Sequence, residues 1–273
     1  LKFEVQLANS VPFGDIEEYA HSSEWAFEQK LDGERLAIGV KDGKVFGCGR
    51  RNETRVDREI ADLLSGINGD WVLDGEVVGG VFWVFDLPLA PGITPETAFK
   101  LRRESLVPVI SVLSARTQRI KLVPSCTTAV DKIRLARWVV DNNAEGLMIK
   151  KLDAPYTCGK RSNFSLKAKL VETVDCIITE VGREGKRSVA VSVYDDNGIL
   201  TDVGSVAVTE KNLTKLVEGD VIEVRYLYCN NRHEPRLYQP VFMRPRPDKN
   251  PTDCTIDQLK FGCKTVLPSI PVQ

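Results

Sequence analysis

From Leu36 to Val40 the apolar residues Leu36, Ile38 and Val40 alternate with smaller neighbours, the period of a strand buried on one face. Strand formers begin earlier, at Trp25, and are interrupted at Asp32-Gly33, so two strands meet there and Lys30 sits where the first one ends. The run Lys41-Asp42-Gly43-Lys44 returns the chain to Val45 and Phe46 as a hairpin. Ile60, Leu63, Leu64 and Ile67 then recur at helical spacing, and two short apolar strands are predicted over 71–78 and 81–86.

Thr94-Pro95 has the form of a helix start and predicts a second helix there, while Ile133 and Trp138 carry a third. Residues 119–123 read as a strand between them. Two more strands, 145–151 and 164–169, are separated by a loop with Pro155 and Gly159. Beyond Leu170 the pattern changes to short strands at 176–181, 188–194, 200–206, 221–228 and 237–243, with one short helix at 210–216. Five strands with a helix between the third and fourth match a small Greek-key barrel of the oligonucleotide-binding (OB) type. The expected class is α+β: a first domain over 1–170, built of mixed antiparallel sheets with flanking helices, and a C-terminal OB-fold β-barrel over 171–273.

Composition suits one or two globular domains of ordinary core size: 273 residues, 42% hydrophobic and 27% charged. Thirty-seven basic residues against thirty-eight acidic ones give a formal charge of −1, so any nucleic-acid binding must come from local patches. Seven cysteines without a Cys-x-x-Cys pair, and only His21 and His233 beside them, argue against structural zinc and for buried thiols in a reducing compartment. No apolar run approaches the roughly 20 residues of a membrane helix, and the start Leu1-Lys2-Phe3-Glu4 has no signal-peptide core. The expectation is a cytoplasmic protein.

Residues 28–35 read Glu-Gln-Lys-Leu-Asp-Gly-Glu-Arg and offer a nucleophilic lysine, Lys30, beside a carboxylate, a glycine and an arginine. To attack phosphorus the Lys30 amine must shed a proton, which nearby cations would favour. Lys167 and Lys169 alternate on a strand and project to one face, where they suit an α-phosphate. Downstream stand Leu73-Asp74-Gly75-Glu76, Phe82-Trp83-Val84-Phe85-Asp86, Glu145-Gly146-Leu147-Met148-Ile149-Lys150, Lys167-Ala168-Lys169, and Arg244-Pro245-Arg246-Pro247-Asp248-Lys249.

In this order and spacing the segments resemble the collinear motifs of the covalent nucleotidyltransferases, most closely ATP-dependent DNA ligases of the small two-domain, virus- or phage-like type. The resemblance covers residues 28–249. It implies that Lys30 is adenylated, that Lys167 and Lys169 contact the α-phosphate, and that Glu28, Arg35, Glu76, Phe85 and Met148 bind the nucleotide. Of these, Glu76 would accept from the ribose and Phe85 would stack on adenine; Met148 either closes the opposite face or is an ordinary core residue. Glu145, with Asp32, is implied as the metal-binding acid set for Mg2+, which Mn2+ could replace. Arg35 and either Arg51 or Arg50 would hold the 5′-phosphate of a nick, since a guanidinium matches phosphate bidentately. Arg246, Asp248 and Lys249 would swing over the nucleotide for the first step and then withdraw, with a hinge between Lys169 and Glu172.

The Glu145-Gly146 pair resembles ligases more than capping guanylyltransferases, which usually have Asp-Gly there. The barrel argues against small RNA ligases that lack one. Those two enzymes and a catalytically inactive nucleic-acid-binding scaffold are the alternatives. The short stretch before Lys30 favours ATP over NAD. The expected partner is nicked double-stranded DNA, bound by a monomer without a membrane or an obligatory protein partner. Lys100, Arg102, Arg103, Arg116, Arg119 and the loop 183–187 are the candidate DNA-backbone contacts.

Overall fold

The computed structural model describes residues 3–49, 53–182 and 186–262. Among these, residues up to 139 together with 146–169 form one compact unit, and 140–145 with 170–262 form a second.

The chain opens with β1 (Leu7–Pro12), α1 (Glu17–His21), β2 (Trp25–Gln29), β3 (Glu34–Lys41), β4 (Lys44–Cys48) and β5 (Glu53–Thr54). Then come α2 (Arg58–Ser65), β6 (Trp71–Val78), β7 (Val81–Leu89), α3 (Phe99–Ser114), β8 (Ile120–Leu122) and β9 (Ser125–Cys126). They are followed by α4 (Ala129–Asp141), β10 (Gly146–Lys151) and β11 (Arg161–Lys169). One sheet of the first unit runs β1-β11-β10-β2-β9 and the other β5-β4-β3-β6-β7-β8.

The second of these sheets buries the alternating residues Leu36, Ile38, Leu73, Phe82 and Val84 against Ile60 and Leu64 of α2 and Leu106 and Ile110 of α3. Each such side chain taken from water contributes about 1.5–3 kcal/mol. The β3–β4 hairpin turns on Asp42 and Gly43, both at positive φ, as a two-residue turn requires.

The entry into β2 is anchored from α4. The ammonium of Lys132, a side chain almost fully buried, donates to the carbonyls of Tyr19 (3.1 Å), Ser22 (2.6 Å) and Trp25 (3.1 Å). It satisfies the carbonyls at the end of α1, which that short helix cannot pair itself, and locks the start of the strand that leads to Lys30.

One expectation for this unit needs correction. The second helix begins at Phe99 and not at Thr94-Pro95: the Thr94 amide donates to Thr97 Oγ1, and Thr97 N–H returns to Thr94 O, so the segment is a closed turn. The predicted strand 119–123 is present as β8, and β9 follows it in the other sheet. β1, in a segment for which no element was predicted, pairs in parallel with β11 along its whole length.

The second unit contains β12 (Glu172–Val181), β13 (Ser188–Tyr194), β14 (Leu200–Ala207), α5 (Glu210–Leu213), β15 (Val221–Tyr226) and β16 (Val241–Pro245). Its strands pair antiparallel in the order β14-β13-β12-β15-β16. Val174, Val189, Val191, Val193, Val206, Ile222 and Val224 form its core. The five strands and the helix between the third and fourth are present, but among the described residues the sheet is open, with β14 and β16 at its ends. The last strand starts later than expected. Residues 227–239 form an excursion in which Leu227 N–H donates to Tyr238 O, Tyr238 N–H to Tyr228 O, and the two tyrosine rings stack at 4.9 Å. Leu237 N–H goes to Val203 O of β14, which removes Leu237 from the β15 ladder.

Candidate functional site

Strand register in the first sheet brings together residues that are far apart in sequence. Glu28 of β2 lies opposite Met148 of β10, which lies opposite Lys167 of β11. Two residues along each strand, the Lys30 amide donates to Gly146 O (2.9 Å), and Gly146 lies opposite Lys169. Since side chains alternate along a strand and cross-strand partners share a face, Glu28, Lys30, Met148, Lys150, Lys167 and Lys169 all belong to one face of the sheet. Lys30, Met148, Lys167 and Lys169 are partly exposed; Glu28 and Lys150 are buried.

Two glycines let the backbones meet at this point. A side chain at Gly146 would strike the Ala168 carbonyl, and its φ of 141° is one that other residues rarely adopt. A Cβ at Gly33 would collide with the Val77 carbonyl, so Asp32-Gly33 can pass against β6 only as glycine.

Paired charges lie along the same face. Lys150 Nζ sits 2.7 Å from Glu28 Oε2 and donates to Phe85 O (3.3 Å). The same ammonium lies 4.4 Å from the centre of the Phe85 ring and 4.8 Å from that of Phe99. Arg103 of α3 approaches from the other side, with Nη1 3.8 Å from Glu28 Oε1 and Nη2 donating to Val123 O. Burial pulls the Arg103 guanidinium below its usual pKa, and Glu28 opposes that shift.

Next to this, Arg35 grips the fully buried Asp74 with Nε to Oδ1 at 2.7 Å and Nη2 to Oδ2 at 2.6 Å, and its guanidinium stacks 4.6 Å from the Phe85 ring. Tyr156 donates its hydroxyl to Asp74 Oδ2 (2.6 Å) and accepts from Gln6 N–H (2.9 Å). Burial and the Asp74 charge push the Tyr156 phenol well above its ordinary pKa. For Arg35, burial alone would lower the pKa, but Asp74 outweighs it and the net shift is upward. Arg35 also lies opposite Glu76, a buried carboxylate on β6.

In the second unit, Arg246 pairs with Asp175 of β12 through Nη1 (3.0 Å) and with Asp248 through Nη2 (2.9 Å), and Lys249 Nζ lies 3.9 Å from Asp175. Glu145 is buried, and its carbonyl accepts from Leu170 N–H (3.0 Å). Asp32 is partly buried. Among the described residues no three His, Cys, Asp or Glu side chains gather closely enough to hold a metal by themselves.

A family profile described as "ATP dependent DNA ligase domain" matches residues 79–169. The DNA ligase of Methanocorpusculum labreanum is 31% identical over 292 residues, with 82% of this chain and 52% of that protein covered. DNA ligase C1 of Mycolicibacterium smegmatis is 27% identical over 318 residues, covering 86% of this chain and 88% of that protein. Residues 79–169 thus match an ATP-dependent DNA ligase domain, and the chain is similar to DNA ligases over most of its length. A solved structure named Pmar-Lig_PreS3 shares the fold, with a TM-score of 0.70 at 21% identity over 89% of this chain and 68% of that one. The chain spans about half the length of the M. labreanum DNA ligase.

Two of the expected DNA contacts are in the wrong place. Arg102 is buried and chelates Asp86 (Nε to Oδ1 2.7 Å, Nη2 to Oδ2 3.0 Å), and Arg103 faces Glu28, so neither guanidinium reaches a duplex. On α3, positions 102 and 103 both face inward. Lys100 and Arg119 are exposed and paired with Asp153 and with Asp57 and Glu59. Arg116 is exposed. Arg50, Arg51 and positions 183–185 lie outside the described residues. Sequence reasoning gave no role to Asp74, Tyr156 or Lys150. The only available signal was that Asp74 and Glu76, and likewise Met148 and Lys150, are two apart on one strand and therefore share a face. The six described cysteines are free thiols; five are buried and Cys158 is exposed. Among the described residues no helix is long and apolar enough to cross a membrane.

Proposed function

We propose that this protein seals nicks in duplex DNA with ATP. The observation that carries the reading is the meeting of Lys30, Lys167 and Lys169 on one sheet face with Glu28, whose partner Lys150 rests against the Phe85 ring, in a chain similar to DNA ligases. Lys30 is the nucleophile: its amine attacks the α-phosphorus of ATP, pyrophosphate leaves, and a lysyl-AMP bond forms. AMP then passes to the 5′-phosphate of the nick, and the 3′-hydroxyl displaces it. Lys167 and Lys169 quiet the charge on the phosphate under attack, and electrostatics and positioning supply the rate.

The residues fit the nucleotide. Phe85 offers an aromatic face, the buried carboxylates of Glu28 and Glu76 offer acceptors for an amine and a ribose, and the lysines offer cations for phosphate. Mg2+ fits through Glu145 or Asp32 only together with phosphate oxygens, the usual way in which this ion is held; bound there, it would neutralise charge on the phosphates. Arg35, with Arg51 or Arg50, serves the 5′-phosphate, and for Arg35 that requires sharing its guanidinium with Asp74.

The two-domain division at 170/171 assigns nucleotide chemistry to the first part and DNA contact to the second, whose five-stranded sheet we read as an OB-type barrel. Arg246, Asp248 and Lys249 act in the first step by closing over the nucleotide about a hinge at 169–172.

Incubation with ATP and Mg2+ should add one AMP to the protein, and Lys30→Ala should abolish the adduct; a wild-type mass that stays unmodified sinks the mechanism. Nick sealing on DNA and RNA duplexes with ATP or GTP separates this reading from RNA ligation and capping. An adduct formed with GTP and not ATP would refute it.

A further inference from the structure

Among the described residues two buried side-chain atoms have no hydrogen-bond partner, Glu28 Oε1 and Arg103 Nη1, and they lie 3.8 Å apart. That distance is too long for a hydrogen bond between them. Neither side chain is free to turn toward the other. Glu28 is held through Oε2 by Lys150 at 2.7 Å, and Arg103 is held through Nη2 by the Val123 carbonyl. Glu28 is 1% exposed, so water offers no easy compensation.

Native proteins rarely leave buried donors and acceptors unmade, because each costs about 1–3 kcal/mol. Here one donor and one acceptor stand side by side beside Phe85, on the sheet face that carries Lys30. Their spacing and opposite polarity suit a ligand edge that presents an N–H next to an acceptor nitrogen. An aminopurine has such an edge.

We propose that Arg103 is a base-reading residue, its Nη1 donating to a ring nitrogen of the purine while Glu28 Oε1 accepts from the neighbouring amine. Lys150 is then a positioning residue: by occupying Oε2 and resting against the Phe85 ring, it leaves Oε1 as the oxygen presented to the base. A charged donor aimed at a ring nitrogen makes the site intolerant of a carbon at that position, because the guanidinium would again be buried without an acceptor. This inference rests on the nucleotide-site reading above and adds to it the residue that senses the base.

The test is equilibrium binding to the full chain, without added divalent metal so that no adduct forms. The probes are ATP, 1-deaza-ATP and 7-deaza-ATP, each analogue replacing one ring nitrogen by C–H. Wild type should bind one of the two analogues about tenfold or more weakly than ATP, the loss expected for a charge-assisted hydrogen bond. Arg103→Met should bind ATP about tenfold more weakly and should no longer distinguish that analogue from ATP. Equal binding of all three probes by wild type overturns the proposal whether or not the variant folds. An Arg103→Met protein that keeps the wild-type preference overturns it as well. Failure of wild type to bind ATP at all removes the nucleotide-site reading itself, a different result from ATP binding that is blind to the ring nitrogens.

Discussion

Arg102 and Asp86 form a two-pronged ion pair sealed from solvent, with the guanidinium also donating to the Thr97 and Ala154 carbonyls. It fastens α3 to β7 one residue from Phe85. Removing one partner leaves a buried charge alone, so Arg102→Met or Asp86→Asn should lower stability by about 3–5 kcal/mol in chemical denaturation. Burial pushes the Asp86 carboxyl up, but Arg102 outweighs it and the pKa is lowered. A depressed folded pKa means that this stability is present above the unfolded value of about 3.9 and is lost as pH falls through the folded value. In Arg102→Met the acid-side loss attributable to Asp86 should vanish. An unchanged acid profile would contradict the pairing.

Tyr156 joins Asp74 to Gln6, and so to the segment just before β1. Tyr156→Phe keeps the ring but leaves Asp74 short of one donor and the Gln6 amide without its acceptor. Destabilisation of about 1–3 kcal/mol is expected. A change within a few tenths of that of the parent, measured by thermal or urea unfolding, would mean that water replaces the hydroxyl.

Gly146→Ala should cost about 1–3 kcal/mol, since the added methyl meets the Ala168 backbone and cannot be relieved by a side-chain rotation. Because Gly146 accepts from the Lys30 amide, AMP adduct formation should fall even at temperatures where the variant stays folded. Full-rate labelling of a folded Gly146→Ala protein would break that link.

Arg246 should matter in one step only. Arg246→Ala and Lys249→Ala should block self-adenylation but spare sealing of a pre-adenylated nick, read from labelled AMP and from gel-resolved product; equal loss of both steps would contradict the assignment.

The hydrogen bond from Arg246 holds the Asp248 carboxyl down at about 2. A carbon-13 NMR titration should place its midpoint there in wild type and near the ordinary carboxylate range in Arg246→Ala. The sign follows: the contribution of this pair persists above the unfolded value of about 3.8 and disappears as pH falls through about 2. A wild-type midpoint already in the ordinary range would mean that the pair does not form in solution.

Much of the candidate site was legible because its residues lie on strands whose two-residue period is written locally. Lys30, Lys167, Lys169 and Met148 each fall where a period and a motif coincide, and pairing then aligns them. Partners decided by tertiary packing were not legible. Nothing local distinguishes Arg102 and Arg103, which face inward, from Lys100 and Arg116, which face out. Thr94-Pro95 imitates a helix start, yet the Thr97 hydroxyl closes it into a turn. The length of β16 depended on where Leu237 found an acceptor, which was on β14 and not on its expected neighbour. Strand count suggested a barrel, but closure is a matter of edge pairing, and sequence period carries no information about edges.

The parallel pairing of β1 with β11 also governs the order of events during synthesis. β1 precedes its ladder partner β11 by roughly 150 residues, so the edge it must join does not exist until long after β1 itself has been made. Such distant pairing makes folding slow and leaves an early strand exposed in the meantime. The lysines that would serve the phosphate arrive on that same late strand, so a truncated chain ending before β11 would present Lys30 without them and without a finished sheet.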